Sequence, residues 1–233
     1  MRSFYRTLLS VAVAIVALLC SNCGSGSSTS TQVRALEASP NEATTLNVVL
    51  NGTTLFSNLA LGTPTAYSTV TSGASTLVVE PSNSTTASIS QSITLNSATH
   101  YTLITANYAA NLTPMLLTDD TTAPSSGDFK IRIANAAVEA GSVDVYILPP
   151  GSSNPSGGGV TPTVSALGFT SSSVYQSLAA GSYTIIVTPA GFPVVQYINT
   201  GSSLNFTAGQ NRTFVILPTA SGSITSLTLN DLN

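Results

Sequence analysis

The amino-acid sequence predicts an all-β protein: two tandem antiparallel β-sandwich domains, immunoglobulin-like or transthyretin-like, after an N-terminal signal segment. Three observations support this prediction. Runs of β-branched and aromatic residues recur, separated by turn residues at intervals of about ten positions, with no amphipathic helical period between them. The runs of the second half repeat those of the first half in the same order. A short cationic and apolar stretch precedes the first predicted strand.

The composition is consistent with a folded β protein. Hydrophobic residues make up 42% of the chain and charged residues only 6%, against roughly 25% charged residues in an average globular protein. Ser, Thr, Asn and Gly take their place, and these residues favour strands or turns. Several apolar runs can each form a buried strand and so argue against disorder: LNVVL, STLVVE, YTLITA, SVDVYIL, YTIIVT and RTFVIL.

The charge balance excludes a nucleic-acid partner. The formal net charge is −3, and Arg2 and Arg6 lie in the leader. The rest of the chain has four basic residues, only one of them a lysine, against nine acidic ones. So few cations cannot neutralise a run of phosphates.

Residues 1–23 have the pattern of an export signal. Arg2 and Arg6 are followed by an apolar run over residues 8–19, broken only by Ser10. This run is too short to span a bilayer comfortably. Residues 24–31 follow as a Ser/Gly linker.

Both cysteines lie at the end of this segment, in an arrangement that resembles a bacterial lipoprotein signal. In such signals the cysteine after the cleavage site is acylated. Cys23 is the preferred lipidation site because Ser21 and the Gly/Ser tract after Cys23 fit the pattern, and Cys20 is the alternative. A redox Cys-x-x-Cys is the rival interpretation, but the strand–helix context of that motif is missing. We therefore expect export to the bacterial cell envelope, on the periplasmic or surface face, with a lipid anchor in a membrane.

The first predicted repeat spans residues 32–118. Its clearest local signal is Asn51-Gly52 between two extended runs, which predicts a two-residue type I′ hairpin turn. The remaining runs predict further strands, at residues 32–38, 66–70, 75–80, 88–95, 101–107 and 115–118.

The second predicted repeat spans residues 129–233, after a linker at residues 119–128. Residues 143–147 correspond to residues 46–50, and GSYTIIVTP at 181–189 corresponds without a gap to GASTLVVEP at 73–81. RTFVI at 212–216 aligns with HYTLI at 100–104, which places His100 opposite Arg212. The linker holds small polar and acidic residues, so we expect a hydrated joint and a modest contact between two separate domains.

With both repeats in view, the chain resembles the bacterial family catalogued as domain of unknown function 4397. The recognisable pieces are a V-R-x-x-[HN]-A opening, a V-D-V-Y-[VI] strand, a G-x-Y-x-[VI]-x-V-x-P strand and a D-D-x-x-A-P-x-x-G joint. They are supplied at residues 131–137, 143–147, 181–189 and 119–127, whereas the first repeat departs from them at Glu37, Asn47 and Val49. The resemblance implies an exported cell-envelope β protein and transfers no activity.

Catalytic and metal chemistry finds little support. His100 is the single histidine and no G-x-S-x-G motif is present, so a Ser-His-Asp triad is not predicted. One histidine and no cysteine in the mature domains leave too few nitrogen or sulfur ligands for zinc. Asp119, Asp120 and Asp128 cluster at the linker and form a weak calcium candidate, against which a solvated acidic linker is favoured. No cofactor or catalytic residue is predicted.

The sequence therefore favours a non-enzymatic cell-envelope protein that acts as a structural, adhesion or ligand-presenting module. The alternative is a periplasmic or surface binder of a small ligand or glycan that uses Tyr-bearing loops between the repeats. A hydrolase is the least supported class, because the acidic residues are scattered over turns. The expected partners are the membrane and a protein or glycan at the cell surface.

Overall fold

The computed structural model describes residues 30–152, 155, 159–201 and 204–232. The predicted signal segment, both cysteines and all but the last two residues of the predicted Ser/Gly linker lie outside the described residues. The regular secondary structure of the described residues is β-strand apart from two short 3₁₀ turns, Ala109–Asn111 and Val138–Ala140. The all-β prediction is confirmed.

The N-terminal half forms two four-stranded sheets, in the orders β4-β1-β7-β8 (the N-terminal inner sheet) and β3-β2-β5-β6 (the N-terminal outer sheet). Its strands are β1 (Thr31–Ala38), β2 (Leu46–Leu50), β3 (Thr53–Leu59), β4 (Ser68–Val70), β5 (Gly73–Pro81), β6 (Ile89–Leu95), β7 (His100–Ala106) and β8 (Thr113–Asp119).

The C-terminal half has the same arrangement. Its inner sheet has the order β12-β9-β16-β17, and its outer sheet has the order β11-β10-β13-β14, with β15 also paired to β13. Its strands are β9 (Asp128–Asn135), β10 (Val143–Leu148), β11 (Val164–Leu167), β12 (Gln176–Ala179), β13 (Gly181–Pro189), β14 (Ile198–Asn199), β15 (Leu204–Phe206), β16 (Asn211–Pro218) and β17 (Ile224–Leu232).

One pairing in each half differs from the predicted antiparallel pattern. β1 pairs with β7 in parallel, and β9 pairs with β16 in parallel. A parallel neighbour needs a crossover connection, and the strands of the outer sheet provide it between β1 and β7. Each half remains a sandwich, because the inner and outer sheets enclose one apolar core between them.

The Asn51-Gly52 turn is confirmed. Both residues have positive φ, 52° and 78°, as a type I′ turn requires. β2 and β3 leave the turn paired as Leu50 with Thr53.

The four sheets stack in the order outer, inner, inner, outer. Alternate residues of β1 explain this stacking, because Val33 and Ala35 belong to the N-terminal core whereas Leu36 and Ala38 face the other half. A third apolar cluster lies between the two inner sheets. It draws on both halves and comprises Leu36, Ala38, Ile104, Ala106, Met115, Ala134, Ala136, Val215, Leu217 and Leu229.

The expectation of a modest contact was therefore wrong, and that of a hydrated joint was wrong for Asp119, whereas most of residues 121–127 are exposed. Asp119 is buried at 5% exposure, and Leu36, Ile104 and Val215 between the sheets are at most 1% exposed. The short linker permits this because it lets each inner sheet bury its second face against the other. Phe129, which follows the linker, lies in the core of the C-terminal half and not between the inner sheets.

Candidate functional site between the two halves

The two inner sheets enclose a buried polar network beside their shared apolar cluster. Arg34 of β1 and Arg132 of β9 lie at corresponding positions, since Arg34 pairs with Thr102 across the parallel ladder and Arg132 pairs with Thr213. Both arginines are buried, at 4% and 3% exposure. Buried charges require paired and hydrogen-bonded surroundings, and each half supplies them to the other.

Arg34 reaches across the interface into the C-terminal half. Its Nη2 donates to Asp231 Oδ1 in an ion pair, and its Nη1 donates to the backbone carbonyl of Asn230 at 2.6 Å. Its Nε donates to Thr102 Oγ1 at 2.8 Å within its own half. All three nitrogens of the guanidinium thus donate a hydrogen bond.

Arg132 makes the reciprocal contacts. Its Nη2 donates to Asp119 Oδ1 in an ion pair, its Nη1 donates to the carbonyl of Thr118 at 2.7 Å, and its Nε donates to Thr213 Oγ1 at 2.8 Å. The two sets of contacts are therefore related by an approximate two-fold arrangement, as in an isologous interface between identical subunits.

A tyrosine completes each set. Tyr67 donates its hydroxyl to Asp119 Oδ2 at 2.6 Å, and Tyr175 donates its hydroxyl to Asp231 Oδ2 at 2.8 Å. The Arg34 guanidinium lies 4.7 Å from the centre of the Tyr67 ring, and that of Arg132 lies 4.9 Å from the Tyr175 ring. Burial raises the pKa of both phenols, so each remains a protonated donor.

Each aspartate accepts a further hydrogen bond from one threonine of its own half. Thr102 Oγ1 donates to Asp119 Oδ2 at 2.8 Å, and Thr213 Oγ1 donates to Asp231 Oδ2 at 2.7 Å. The network therefore contains two arginines and two aspartates with balanced charge and saturated hydrogen bonding. Such an arrangement fixes the relation of two surfaces and offers no free group for chemistry.

The three linker acids do not come together. Asp119 belongs to the buried network, Asp120 accepts from Lys130 Nζ at 2.7 Å, and Asp128 accepts from Ser177 Oγ at 3.1 Å. Burial favours a higher pKa for Asp120, but hydrogen bonds from Lys130 and Thr122 lower it overall. Over the described ranges, no group of three or more His, Cys, Asp or Glu side chains could hold a metal ion.

His100 begins β7 and lies beside the network. Its ring lies 5.1 Å from the ring of Tyr67, and neither ring nitrogen has a hydrogen-bond partner. Burial lowers the pKa of this histidine, so it is neutral near pH 7. The parallel ladders also correct the alignment of His100 between the two repeats. Because Arg34 pairs with Thr102 and Arg132 with Thr213, Thr102 corresponds to Thr213, His100 to Asn211 and Tyr101 to Arg212.

A shallow groove opens at one edge of the interface. Its volume is about 420 Å³, and its lining residues come from both halves: Leu116, Leu117, Thr118, Arg132, Ser172, Ser173, Val174 and Tyr175. Three of its polar side chains are already engaged, since Tyr175 donates to Asp231, Arg132 to Asp119, and Ser173 to the carbonyl of Val174.

The tyrosines do not converge on this groove. Among the described residues Tyr108 is the one tyrosine in the exposed class, at 41%, and it lies after β7. The network was missed in the sequence, although Asp119 was noted as a calcium candidate, because its residues lie far apart in the chain on different strands and loops. The available signal was the near-continuous apolar character of YTLITA and RTFVIL, which is typical of strands buried on both faces.

Residues 31–146 match the family model described as a domain of unknown function (DUF4397). The match begins with β1 and ends in β10, so it includes Arg34, Asp119 and Arg132 but not Asp231. It supports the family resemblance found in the sequence. Comparison with curated proteins found no match.

Three solved structures are similar at low identity. The first is described as alpha-glucan recognition by family 41 carbohydrate-binding modules from streptococcal virulence factors; it is 9% identical with a TM-score of 0.25, covering 80% of this chain and 93% of that chain. The second is described as alpha-glucan binding by a streptococcal virulence factor; it is 10% identical with a TM-score of 0.26, covering 83% of this chain and 95% of that chain. The third is a Bacteroides fragilis protein whose description names cell adhesion; it is 9% identical with a TM-score of 0.21, covering 86% of this chain and 97% of that chain.

Proposed function

We propose that this chain is a non-enzymatic cell-envelope module in which two tandem copies of one β-sandwich domain form a single rigid spacer or presenting unit. The observation that supports it is the reciprocal Arg34–Asp231 and Arg132–Asp119 pairing between the inner sheets. Two domains joined only by a linker would move independently. A saturated buried network permits one relative orientation, because any other leaves charges desolvated and unpaired.

The absence of converging chemistry among the described residues favours this class over a hydrolase. The acidic residues of the interface are paired with arginines, and His100 has no carboxylate or hydroxyl as a hydrogen-bond partner. A general acid or base must reach its substrate, whereas these groups are closed between two sheets.

The rigidity is tested by a distance measurement across the interface. Ala74 and Ser182 occupy corresponding exposed positions in β5 and β13 of the outer sheets. Spin labels at Ala74→Cys and Ser182→Cys, in a background with Cys20→Ser and Cys23→Ser, should give one narrow distance distribution. Asp231→Asn should broaden it, because Arg34 is left without its partner.

Asp120→Asn is the matched control, since it removes an acid from the Lys130 pair, whose side chains are 20% and 28% exposed. We expect Asp231→Asn to lower the free energy of unfolding by about 3–5 kcal/mol and Asp120→Asn by less than about 1 kcal/mol. A broad distance distribution in the spin-labelled protein with the native interface would contradict the rigid-spacer proposal.

We further propose export and lipid anchoring through Cys23, with Cys20 as the alternative site. The support is the sequence pattern alone, since both cysteines lie outside the described residues. Within the described part of the chain, no helix has the length and apolarity to cross a membrane. Cys23→Ala should move the protein from the membrane to the soluble fraction, and Cys20→Ala should not. Unchanged membrane attachment of Cys23→Ala would exclude that residue as the anchor.

The second candidate function is binding of a small ligand or glycan in the interface groove. It is favoured by the position and volume of the groove, since ligand sites of about 300–1,000 Å³ often lie between domains. Val174 lies in the groove and is 79% exposed. Titration with soluble oligosaccharides while observing the Val174 methyl signals tests this function, and shifts confined to Val174 and its neighbours would support it.

A further inference from the structure

The charged residues are separated along the direction of the inner-sheet strands. We define the distal end as the end at which β1 and β9 finish and β2 and β10 begin. β7 and β16 also finish there, because each runs parallel to the first strand of its half. The two halves meet at this end, where the carboxylate of Glu139 contacts the phenol of Tyr108 and raises its pKa.

Every described cation lies away from the distal end and is committed to a partner. Arg34 and Arg132 are in the buried network, Lys130 pairs with Asp120, and Arg212 is buried and donates to the carbonyl of Leu232. Five of the nine acidic residues lie at or near the distal end: Glu37, Glu42, Glu80, Glu139 and Asp144. That end is therefore acidic, and the described residues place no basic side chain there.

The distal end also exposes apolar side chains. Residues 190–197 connect β13 to β14, and within them Phe192 is 63% exposed, Val194 72% and Val195 49%. Tyr108, at 41%, lies at the same end after β7. Single exposed apolar residues are ordinary, but three in four consecutive positions of one loop indicate an interaction surface.

Hydrogen bonds hold this loop in its exposed conformation. The Ala190 amide donates to the Ser142 carbonyl at 3.0 Å, and the Gly191 amide donates to Asp144 Oδ2 at 2.8 Å. The Phe192 amide donates to the Pro189 carbonyl at 3.0 Å, and the Val195 amide to the Phe192 carbonyl at 3.2 Å. The apolar side chains are thus presented by a fixed scaffold, which lowers the entropic cost of binding.

We propose that the distal end, with the loop at residues 190–197 at its centre, is a docking surface for a cationic amphipathic protein segment. Lys or Arg side chains of the partner would face Glu42 and Glu139, and its apolar side chains would cover Phe192, Val194 and Val195. Charge complementarity selects this occupant. A second copy would bring an equally acidic surface, and an anionic lipid surface would be repelled in the same way.

The test uses the purified full chain and a fluorescent 18-residue amphipathic peptide of Leu and Lys, with a Leu/Glu peptide of the same pattern as the charge control. The combined variant Phe192→Ser, Val194→Ser and Val195→Ser should weaken binding at least ten-fold. Glu42→Gln with Glu139→Gln should weaken it several-fold and reduce its dependence on salt. Unchanged melting temperatures verify that these substitutions leave the fold intact.

Val160→Ser with Asp128→Asn is the matched control, because it removes one exposed apolar residue and one acid outside the distal end. It should bind the Leu/Lys peptide as the unmodified chain does. Equal weakening in the control, or none in the loop variant, overturns the proposal. It is also overturned if the loop variant instead abolishes self-association or binding to phosphatidylglycerol vesicles. The proposal goes beyond the spacer role, and the loop variant tests it at residues of the C-terminal half alone, whether or not the spin-label experiment shows mobile halves.

Discussion

Glu37 shows how one buried residue can set the pH dependence of stability. Its carboxylate accepts a hydrogen bond from the Ser39 amide at 2.5 Å, and the residue is 2% exposed. Burial raises its pKa from 4.5 to about 7, partly offset by the Ser39 amide and reinforced by Glu42. The corresponding residue of the C-terminal half is Asn135, which bonds the Ala137 amide in the same way without a charge.

We expect the free energy of unfolding to fall as the pH rises from 4.5 to about 7. The folded state keeps the Glu37 proton over this range while the unfolded chain has lost it, so the contribution is fully present below pH 4.5 and lost by about pH 7. Its upper limit is about 3 kcal/mol, at roughly 1.4 kcal/mol for each pH unit.

Glu37→Gln should remove this slope, and Glu37→Asn should do the same with the residue that the other half uses. Urea unfolding at several pH values measures it, with Asp128→Asn as a control that keeps the slope. A slope equally steep in Glu37→Gln would assign the pH dependence to another group.

At the scale of the element, the β2–β3 hairpin is specified locally. Asn51 Oδ1 accepts from the Thr76 amide at 2.8 Å, which ties the turn to β5. Gly52 has φ of 78°, and no atom lies within 4 Å of the position that a Cβ would take. A substitution there meets free space, so its cost is conformational.

Gly52→Val should therefore lower the free energy of unfolding by more than about 1 kcal/mol, because a β-branched residue is strained at positive φ. Gly181→Ala is the matched control: its φ lies outside the strained region, and its Cβ would have an ordinary contact with Tyr183 at 3.9 Å. Thermal melting of both variants measures the difference. Equal melting temperatures would contradict the conformational origin of the cost.

At the scale of the whole molecule, the interface has the character of a dimer contained in one chain. Each inner sheet presents the same set of groups: Arg34, Thr102, Asp119 and Tyr67 in one half, and Arg132, Thr213, Asp231 and Tyr175 in the other. A face that fits a near copy of itself is self-complementary.

We expect the isolated C-terminal half, residues 128–233, to melt cooperatively and to self-associate. It keeps its own core but exposes Val215, Leu217 and Leu229, and two copies could pair Arg132 with Asp231 reciprocally. Analytical ultracentrifugation should show a dimer that Asp231→Arg dissociates. A folded monomer would show that the face is not self-complementary, and an unfolded fragment would show that each half needs the other.

The sequence by itself determined most strands of the first half and three of the second, in their correct order. The alternation in GASTLVVEP and GSYTIIVTP located β5 and β13, although the strand predicted at residues 75–80 extends over residues 73–81 in the structure, and Asn51-Gly52 defined the turn. These features are local, since strand periodicity and turn chemistry depend on neighbours within a few residues. They predicted a linker at residues 119–128, of which residues 120–127 lie between β8 and β9, but could not show where its carboxylates would point.

Only the tertiary structure decided which faces meet. The side-chain period of a strand is two, so a shift of one residue exchanges its faces. The alignment of His100 with Arg212 made that shift, and the parallel ladders placed His100 with Asn211 instead. Asp119 and Asp231 are buried because each meets an arginine of the other half. The partners of these two ion pairs, 13 and 197 positions apart, come together only when the two inner sheets pack.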